Sequence, residues 1–423
     1  MKIYKFGGAS VRDAENVKNI GRILRAQPED LVVVISAMGK MTNALELLCN
    51  RWFHQSGDTE EAFEGIKSYH EGVIAGLFSK DNREGYAKTK ELFNELHAII
   101  SSEPTESYDY EYDRIIPFGE LISTTIVSAY LKQEGMKAEF VDIRRCLQTD
   151  KNYRDANIDM AVSGALTQKT FTFKNTPLYI TQGFIAGTRS GETTTLGREG
   201  SDYTAAILAN LLEAESVTIW KDVPGFMNAD PKLYAGTVIV PELSYREAIE
   251  LSNFGAKIIH PKTIKPLQNK KIPLYVKSFL APQEPGSVIR EWNEKLALPP
   301  IFINKGNLLL LTLTPRDFSF IAEEKLSRIF ALLAKYRLHL NLMQNSAISF
   351  TLLIDNNEAL IRTFIDELKA EYKVLYNTEV QLITIRHYDE RTIRELTEGK
   401  TVLVEQRSRL TARFVVEGKQ RNN

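Results

Sequence analysis

The N-terminal part of the chain alternates short apolar runs with longer segments of helical periodicity. Lys2–Phe6 and Leu31–Ile35 are two such runs, and each is followed by a loop that contains glycine. Because Leu31–Ile35 has no polar alternation, it predicts a strand buried on both faces of a parallel sheet. The same pattern predicts mainly helical segments over 43–100 and 205–212 and strands over 177–181 and 216–220. This alternation predicts an α/β sandwich, in which ligands bind beyond the carboxyl ends of the strands.

The pattern changes after two proline-rich stretches, 281–286 and 298–300, between which we place the end of a first domain, 1–295. A second domain over 296–386 has the order β-α-β-β-α-β, which is the ferredoxin-like α+β arrangement. Its predicted elements are strand 307–314, helix 323–336, strands 339–344 and 348–355, helix 358–372, and strands 373–376 and 380–386. Residues 387–423 repeat this order only in part, with a helix over 390–398 and strands over 401–405 and 411–416 but no second helix.

Composition and charge exclude several classes of protein. A length of 423 residues suits two or three domains. Acidic and basic residues nearly cancel, to a net charge of -1, which argues against a protein that binds nucleic acid. The N-terminus has no apolar signal segment, and no apolar run is long enough to span a bilayer. Cys49 and Cys146 are too few for a disulfide framework, so we expect a cytoplasmic protein with no membrane partner.

Several polar loops are candidates for phosphate chemistry, which needs cationic donors, a metal and an aligned acceptor. The chain has no G-x-x-x-x-G-K-[ST] loop, which excludes a Walker-type ATPase. Lys5 with Gly7 and Gly8 is the first candidate, because glycines after a buried strand let backbone N–H groups approach an anion. An ordinary glycine turn beside a surface lysine explains the same residues equally well.

The loop 197–203 is the second candidate. Arg198 has a planar fork that suits a carboxylate, and Asp202 could hold a catalytic lysine and order the site of transfer. The alternatives are a solvated arginine and an aspartate that caps the helix after the loop.

Charged residues that follow the strand over 216–220 are the third candidate. Lys221, Asp222, Asp230 and Lys232 crowd one strand end. Turn chemistry explains the prolines and the glycine among them but not the charges, which a nucleotide subsite would explain. Lys257, further along the chain, could also reach nucleotide phosphates.

Taken together, these motifs resemble those of the aspartokinases, in the same order and at similar spacing. The resemblance covers residues 1–290, and because each motif is short, its specificity comes from their number in register. The motifs are KFGGASV at 5–11, SAMGKMTN at 36–43, FGE at 118–120, TQGF at 181–184, 193–206, DVPG at 222–225, DP at 230–231 and FGAKIIHP at 254–261.

The resemblance implies the amino-acid kinase fold and transfer of the ATP γ-phosphate to the side-chain carboxylate of L-aspartate. The product is 4-phospho-L-aspartate, the first step toward lysine, threonine and methionine. Lys5 would stabilise the transferring phosphoryl group and Asp202 would orient this lysine. The residues implied to bind aspartate are Ser36, Thr42, Glu120, Arg198 and Ser201, with Arg198 on a carboxylate and Glu120 on the amino group. The residues implied to bind ATP are Lys5, Gly7, Gly8, Lys221, Asp222, Asp230, Lys232, Lys257 and Ile258.

The implied chemistry needs no general base, because a carboxylate is already ionised near neutral pH. Positioning and the screening of repulsion between two anions are the tasks of the site. We expect Mg²⁺ to arrive on the ATP, bridging phosphate oxygens, rather than in a site built from protein ligands alone.

Three residues depart from the family pattern. The family usually has Thr at Ala9, Gly at Glu199 and often Thr at Lys221. An extra lysine would strengthen phosphate contact, whereas Glu199 adds negative charge beside Arg198. These departures motivate one rival function, a catalytically silent regulator that keeps the fold. A kinase of another acid such as glutamate is a second alternative, although the motif around Glu120 favours aspartate.

The segment after residue 296 resembles the ACT regulatory domains that follow aspartokinase cores. Lysine-sensitive relatives commonly have acidic residues near Asn341 and Ala347, and both positions are neutral here. A possible amino-acid effector would therefore lose its likely partners if it is cationic. The alternative is that the region only builds a dimer interface, and its edge strands favour pairing with another copy. We expect a homodimer or a higher homo-oligomer.

Overall fold

The structure is a computed structural model that describes residues 1–27, 29–78, 83–256, 259–292, 296–317 and 319–417. These residues form two compact units. The first unit comprises the described parts of Met1–Phe226, Ile239–Ser252 and Lys257–Leu296. The second comprises those of Met227–Val238, Asn253–Ala256 and Ala297–Asn423. Residues 293–295 lie outside the described ranges, and the boundaries predicted at residues 295 and 386 stay predictions.

The first unit contains an eight-stranded sheet and a three-stranded sheet. Its strands are β1 (Lys2–Phe6), β2 (Leu31–Ile35), β3 (Ala138–Val141), β4 (Gln148–Thr149), β5 (Leu178–Gln182), β6 (Ile185–Thr188), β7 (Thr193–Thr195), β8 (Ser216–Lys221), β9 (Glu242–Ser244), β10 (Leu274–Ser278) and β11 (Ser287–Arg290). The large sheet has the order β3-β5-β2-β1-β8-β10-β11-β9 and the small one β4-β6-β7. The first six strands of the large sheet are parallel to their neighbours, and β11 runs antiparallel to β10.

Helices cover both faces of the large sheet. They are α1 (Ala14–Arg25), α2 (Met41–Phe53), α3 (Thr59–Leu77), α4 (Arg83–Ile100), α5 (Tyr108–Ile115), α6 (Phe118–Gln133), α7 (Met160–Thr170), α8 (Gly200–Leu212), α9 (Tyr245–Asn253) and α10 (Pro261–Lys270). Tyr4 and Phe6 of β1 belong to the buried core that α1 to α6 share. Lys5 points to the opposite face, where α8 packs. The α/β sandwich predicted from the sequence is the fold of this unit.

One helix begins earlier than the sequence predicts, and another is preceded by a short turn. The predicted helix over 205–212 starts earlier, at Gly200, so Ser201 and Asp202 lie inside its first turn. After Gly7 the chain forms a short 3-10 turn, Gly8–Val11, and α1 starts only at Ala14. Asp13 caps α1 by accepting a hydrogen bond from the N–H of Asn16, and its charge offsets the positive end of the helix.

The second unit is a six-stranded sheet with three helices among its described residues. Its elements are β12 (Ile301–Pro315), α11 (Glu323–Lys335), β13 (Leu340–Asn345), β14 (Phe350–Asp355), α12 (Glu358–Lys369), β15 (Tyr372–Arg386), α13 (Glu390–Thr397), β16 (Val402–Arg407) and β17 (Thr411–Val416). The strand order is β13-β14-β12-β15-β17-β16. The predicted β-α-β-β-α-β order is confirmed, and in the described residues α13 is the last helix.

The strands over 373–376 and 380–386 are one strand, β15, rather than the two that the sequence predicts. It pairs with β12 along its whole length, across an irregularity near Leu308. Asn307 and Glu379, on the two strands there, both have positive φ, 56° and 55°. A β-bulge of this kind takes up extra residues without ending the pairing. One pair of long strands therefore serves both the complete and the partial ferredoxin-like repeat.

Two hydrogen bonds link β13, at one edge of this sheet, to β16 and β17 at the other edge. The amide of Gln406 on β16 donates to the carbonyl oxygen of Met343 on β13, at 2.7 Å. Arg413 on β17 donates to the carbonyl oxygen of Asn341, at 2.5 Å. The sheet is thus strongly curved, with Leu308, Leu353 and Val415 buried inside the curve. Across the described ranges of both units, the helices are too short or too polar to cross a membrane.

Candidate active site

Four loops meet at the carboxyl edge of the large sheet. β1 lies between β2 and β8, β2 also pairs with β5, and all four strands are parallel. Their carboxyl ends therefore lie at the same edge. The loops that begin at Gly7, Ser36, Gly183 and Asp222 follow these ends, so the structure brings the motifs predicted at separate strand ends to one place.

Gly8 and Gly183 let two of these loops approach their neighbours closely. A Cβ atom on Gly8 would lie 2.6 Å from the carbonyl oxygen of Gly39, and one on Gly183 would lie 2.5 Å from the Cβ of Ser201. The N–H of Gly39 also donates to the carbonyl oxygen of Gly8, at 3.0 Å. Glycine is needed where backbones approach this closely. The loop after β1 therefore packs on the loop after β2, and Ser201 lies beside the loop after β5.

A buried carboxylate joins two lysines on one face of the sheet. Lys5 is in register with Ile219, and Lys221 lies two residues beyond Ile219. Since side chains alternate along a strand, Lys5 and Lys221 point to the same face. There, Asp202 in the first turn of α8 has one oxygen 2.6 Å from the Nζ of Lys5 and the other 3.6 Å from the Nζ of Lys221. We call these three residues the lysine–aspartate centre.

The lysine–aspartate centre carries a net positive charge around a buried carboxylate. Asp202 is only 2% exposed. Burial by itself raises the pKa of Asp202, but the charges of Lys5 and Lys221 outweigh it, so the pKa lies below its ordinary value. One carboxylate between two ammonium groups leaves one positive charge in excess. Such a centre is suited to stabilise an anion at the edge of the sheet.

Glu120 and Ser123 of α6 fix the turn that follows β2. The Oε1 atom of Glu120 accepts the N–H of Ala37 at 3.0 Å, and the hydroxyl of Ser123 donates to the carbonyl oxygen of Ser36 at 2.7 Å. Residues three apart lie on the same face of a helix. Among the described residues, the buried Oε2 atom of Glu120 has no hydrogen-bond partner. Burial raises the pKa of Glu120 to about 8, although the N–H of Ala37 and the charge of Lys5 oppose this.

Arg198 lies on the loop between β7 and α8, and its side chain is exposed. Gly197 before it and Glu199 after it both have positive φ, 75° and 51°. Glu199 is the N-cap residue of α8, and its Oε2 atom is buried without a hydrogen-bond partner in the described structure. Within that structure, Arg198 itself forms no hydrogen bond or ion pair with another side chain. Its guanidinium can therefore take an incoming carboxylate.

A comparison with protein-family models matches residues 1–278 to the amino acid kinase family. The chain belongs to this family. Lysine-sensitive aspartokinase 3 of Escherichia coli is 30% identical over 401 residues, which cover 90% of this chain and 86% of the relative. The chain is thus also a member of the aspartokinases, as the motifs predict.

Two solved structures of Escherichia coli aspartokinase III have the same architecture. The complex with lysine and aspartate superposes with a TM-score of 0.83 at 26% identity, covering 99% of this chain and 96% of that one. The complex with aspartate and ADP gives a TM-score of 0.82 at the same identity and coverage. The predicted amino-acid kinase fold is confirmed, and the chain is an ATP-dependent kinase of the aspartokinase type.

The fold of this aspartokinase explains one departure from the family pattern. The position of Glu199 has the left-handed backbone conformation, which glycine adopts at no steric cost. Glycine is therefore the usual residue there, and the glutamate is held in a less favourable conformation.

The sequence assigns six further residues to the site. Thr42 lies in the first turn of α2, half-buried, and Asp222 is exposed directly after Lys221. Asp230 and Lys232 are exposed, and they belong to a segment that packs with the second unit. Lys257 and Ile258 lie outside the described residues. The roles of these six residues stay predictions.

Sequence reasoning missed two residues that fix the site. Ser123 lies three residues after Glu120, a helical spacing that could have indicated its role. Asp113 is fully buried and contacts the strand that leads to Arg198, and its surroundings in the sequence gave no signal. Within the ranges that the structure describes, no three His, Cys, Asp or Glu side chains gather in a metal-binding cluster.

Proposed function

We propose that the lysine–aspartate centre transfers the γ-phosphoryl group of ATP to the side-chain carboxylate of L-aspartate. A carboxylate oxygen forms a bond to the γ-phosphorus, and the bond from that phosphorus to the β,γ-bridging oxygen breaks. The products are 4-phospho-L-aspartate and ADP. The supporting observation is the centre itself, where Asp202 holds Lys5 and Lys221 at the carboxyl edge of the sheet.

The two lysines are proposed to act on different parts of the nucleotide. Lys5 lies within 2.6 Å of Asp202, which fixes its ammonium group for the transferring phosphoryl group. Lys221 is held more loosely, at 3.6 Å, and its side chain is more exposed than that of Lys5, 21% against 10%. It would bind the phosphates from the solvent side, with the N–H groups of Gly7 and Gly8. Asp222, directly after Lys221, would complete this part of the proposed ATP site, and the roles of Asp230, Lys232, Lys257 and Ile258 stay predictions from the sequence.

The acceptor site is proposed to lie between α6 and the start of α8. Glu120 would bind the ammonium group of aspartate through its unpartnered oxygen, and Arg198 would bind a carboxylate as a two-pronged donor. The hydroxyl groups of Ser36, Thr42 and Ser201 would complete the contacts. Because the acceptor carboxylate is already ionised, none of these residues needs to remove a proton from it.

Magnesium is proposed to reach the site on the phosphates of ATP, where it would neutralise charge on the leaving diphosphate. Asp202 is already engaged by two lysines. The exposed Asp222 is therefore the carboxylate at this strand end that could contact water bound to the metal.

Trapping of the acyl phosphate tests the proposed substrate. With ATP and hydroxylamine, we expect the hydroxamate to form with L-aspartate and not with glutamate or N-acetylglutamate. Glutamate has one methylene group more than aspartate, so its side-chain carboxylate would be out of line with the γ-phosphate when its amino group is bound at Glu120. Hydroxamate is measured by its ferric complex, and ADP release serves as a second readout. Turnover with glutamate alone would show that the acceptor is wrongly assigned.

The buried carboxyl group of Glu120 makes aspartate binding depend on pH. Its pKa is raised to about 8, so below this pH the free enzyme holds a proton that must leave before the carboxylate can bind an ammonium group. We expect KM for aspartate to rise by about tenfold per pH unit from pH 8 down to about pH 6, because apparent affinity follows the fraction of competent enzyme. Initial rates at varied aspartate and saturating ATP measure this.

The variant Glu120→Gln is the control for the pH effect. It cannot ionise, so its KM for aspartate should be high and should not vary across the same pH range. KM for ATP in the unmodified enzyme should also stay nearly constant. A wild-type KM for aspartate that is flat from pH 6 to pH 8 would rule out the proton-linked binding.

The second unit is proposed to be a regulatory ACT-like region, 296–386, followed by a partial second repeat, 387–423. Its exposed apolar side chains include Phe320, Met343 and Ile348, at 72%, 51% and 45% exposure, which supports pairing into a homodimer or a higher oligomer. The relative from Escherichia coli binds lysine in its solved complex, and an amino-acid effector is proposed here as well. A cytoplasmic location is proposed because both cysteines are buried and unpaired.

A further inference from the structure

Asp113, near the end of α5, is a buried carboxylate with three hydrogen-bond donors around it. The N–H and the hydroxyl of Thr195 donate to its two oxygens at 2.8 and 2.7 Å, and the N–H of Arg154 donates at 3.0 Å. Its side chain has no exposed surface. Burial raises the pKa of Asp113 to about 6, although these donors oppose the rise. The group therefore still carries its charge at neutral pH.

The donors belong to two segments that flank the loop with Arg198. Thr195 is the last residue of β7, three positions before Arg198. Arg154 lies beside Asp155, against which the loop packs, since a Cβ atom on Gly197 would lie 2.6 Å from the Oδ1 of Asp155. Asp113 thus links the start of the loop with Arg198 to the segment of Arg154 and Asp155, against which this loop packs.

Lys262 of α10 forms a further contact with the same loop. The ammonium group of Lys262 donates to the carbonyl oxygen of Leu196 at 2.9 Å and to the Oδ1 of Asp155 at 2.6 Å. The backbone directly before Gly197 is therefore fixed at Thr195 and Leu196, while the side chain of Arg198 remains exposed. Such an arrangement holds the base of a side chain and leaves its charged end free for a ligand.

We propose that Asp113 is a positioning residue that fixes the Arg198 loop and thereby sets the affinity for the acceptor amino acid. The proposal rests on the proposed function, in which Arg198 binds a carboxylate of aspartate. Asp113 acts through Thr195 and Arg154 and touches no substrate. The proposal therefore predicts weaker binding of aspartate and unchanged binding of ATP, because separate contacts hold the lysine–aspartate centre.

The variant Asp113→Ala tests the proposal. We expect KM for aspartate to rise by about 10- to 100-fold, since a displacement of about 1 Å in a binding group costs this much. KM for ATP should change by less than about twofold, because none of the three hydrogen bonds reaches the lysine–aspartate centre. Asp113→Asn, which can still accept both backbone N–H groups, should restore most of the affinity for aspartate. Steady-state kinetics and calorimetric titration with aspartate and with an ATP analogue measure both substrates.

Glu111 offers a matched control on the same helix. It is also fully buried, and its carboxylate accepts the N–H of Thr105 at 3.0 Å and pairs with Arg114 at 2.6 Å. Glu111→Ala should lower the thermal unfolding temperature about as much as Asp113→Ala does, but it should leave KM for aspartate unchanged. An equal rise of KM for aspartate in both variants, or a rise of KM for ATP together with KM for aspartate in Asp113→Ala, would overturn the positioning role.

Two further variants keep the test decisive. If Asp113→Ala does not fold, Thr195→Val removes only the hydroxyl donor, and it should raise KM for aspartate by about threefold without changing KM for ATP. An unchanged KM would overturn the proposal. Arg198→Ala separates the two hypotheses, because normal aspartate binding in that variant would refute the assigned acceptor site itself, whatever Asp113 does.

Discussion

Replacing Lys5 with alanine should lower kcat by about 10³-fold or more, because electrostatic stabilisation of the transferring group is usually the largest catalytic contribution. The ammonium group of Lys5 is fixed by Asp202 at 2.6 Å and is almost buried. It can therefore stabilise charge in the transition state without first moving or losing bound water. Water that enters the space left by Lys5→Ala cannot supply a fixed positive charge. Hydroxamate formation from aspartate and ATP measures the loss.

Lys2→Ala is the matched control for this variant. Lys2 lies on the same strand, and its ammonium group pairs with Glu29 at the surface, at 2.7 Å. Exposed pairs of this kind contribute little to stability, so kcat should stay within about twofold of the unmodified value. Equal hydroxamate from the unmodified protein and from Lys5→Ala, at the level of background, would instead favour the silent regulator as the function.

Replacing Asp202 with asparagine should lower kcat by about 100-fold or more, a value typical for a lost electrostatic contact in an active site, while ATP binds as tightly as before or more tightly. The amide is neutral, so the net charge of the centre rises from one positive charge to two. Both lysines then attract the phosphates of bound ATP, but Lys5 is no longer held for the transition state. Extra attraction in the ground state does not raise kcat. Rates at saturating substrate and calorimetric titration with ATP separate the two effects.

The variant Lys221→Thr is the comparison for Asp202→Asn, because it lowers the net charge of the lysine–aspartate centre instead of raising it. It removes the looser cation and leaves the pair between Lys5 and Asp202 intact. We expect KM for ATP to rise by about fivefold, with a smaller loss of kcat than in Asp202→Asn. If Asp202→Asn weakens ATP binding and Lys221→Thr does not, the proposed division of roles between the two lysines is wrong. The thermal unfolding temperature of both variants should be measured as well, since loss of one partner in a buried ion pair is destabilising.

The local patterns predicted most of the elements. Five residues without polar alternation indicated β2, and all five are buried. The glycines after β1 indicated a loop that other groups approach, and Gly8 does face the backbone of Gly39. These predictions hold because periodicity and turn chemistry depend on neighbouring residues. For β15 the same reasoning introduced a break, since the pairing with β12 across a bulge cannot be read from one strand alone.

The sequence by itself determined the family, the order of the elements in the second unit and the residue types of the site, because the motifs are local and their number in register is specific. Only the tertiary structure decided that Asp202 holds both Lys5 and Lys221, that Glu120 has an unpartnered oxygen, and that Asp113 holds Thr195, 82 residues away. Contacts of this kind arise where strand register and helix packing bring distant segments together. Burial and neighbouring charges then shift the pKa values of the carboxyl groups. No local pattern encodes a partner so far along the chain, so the roles of these carboxylates follow from the fold.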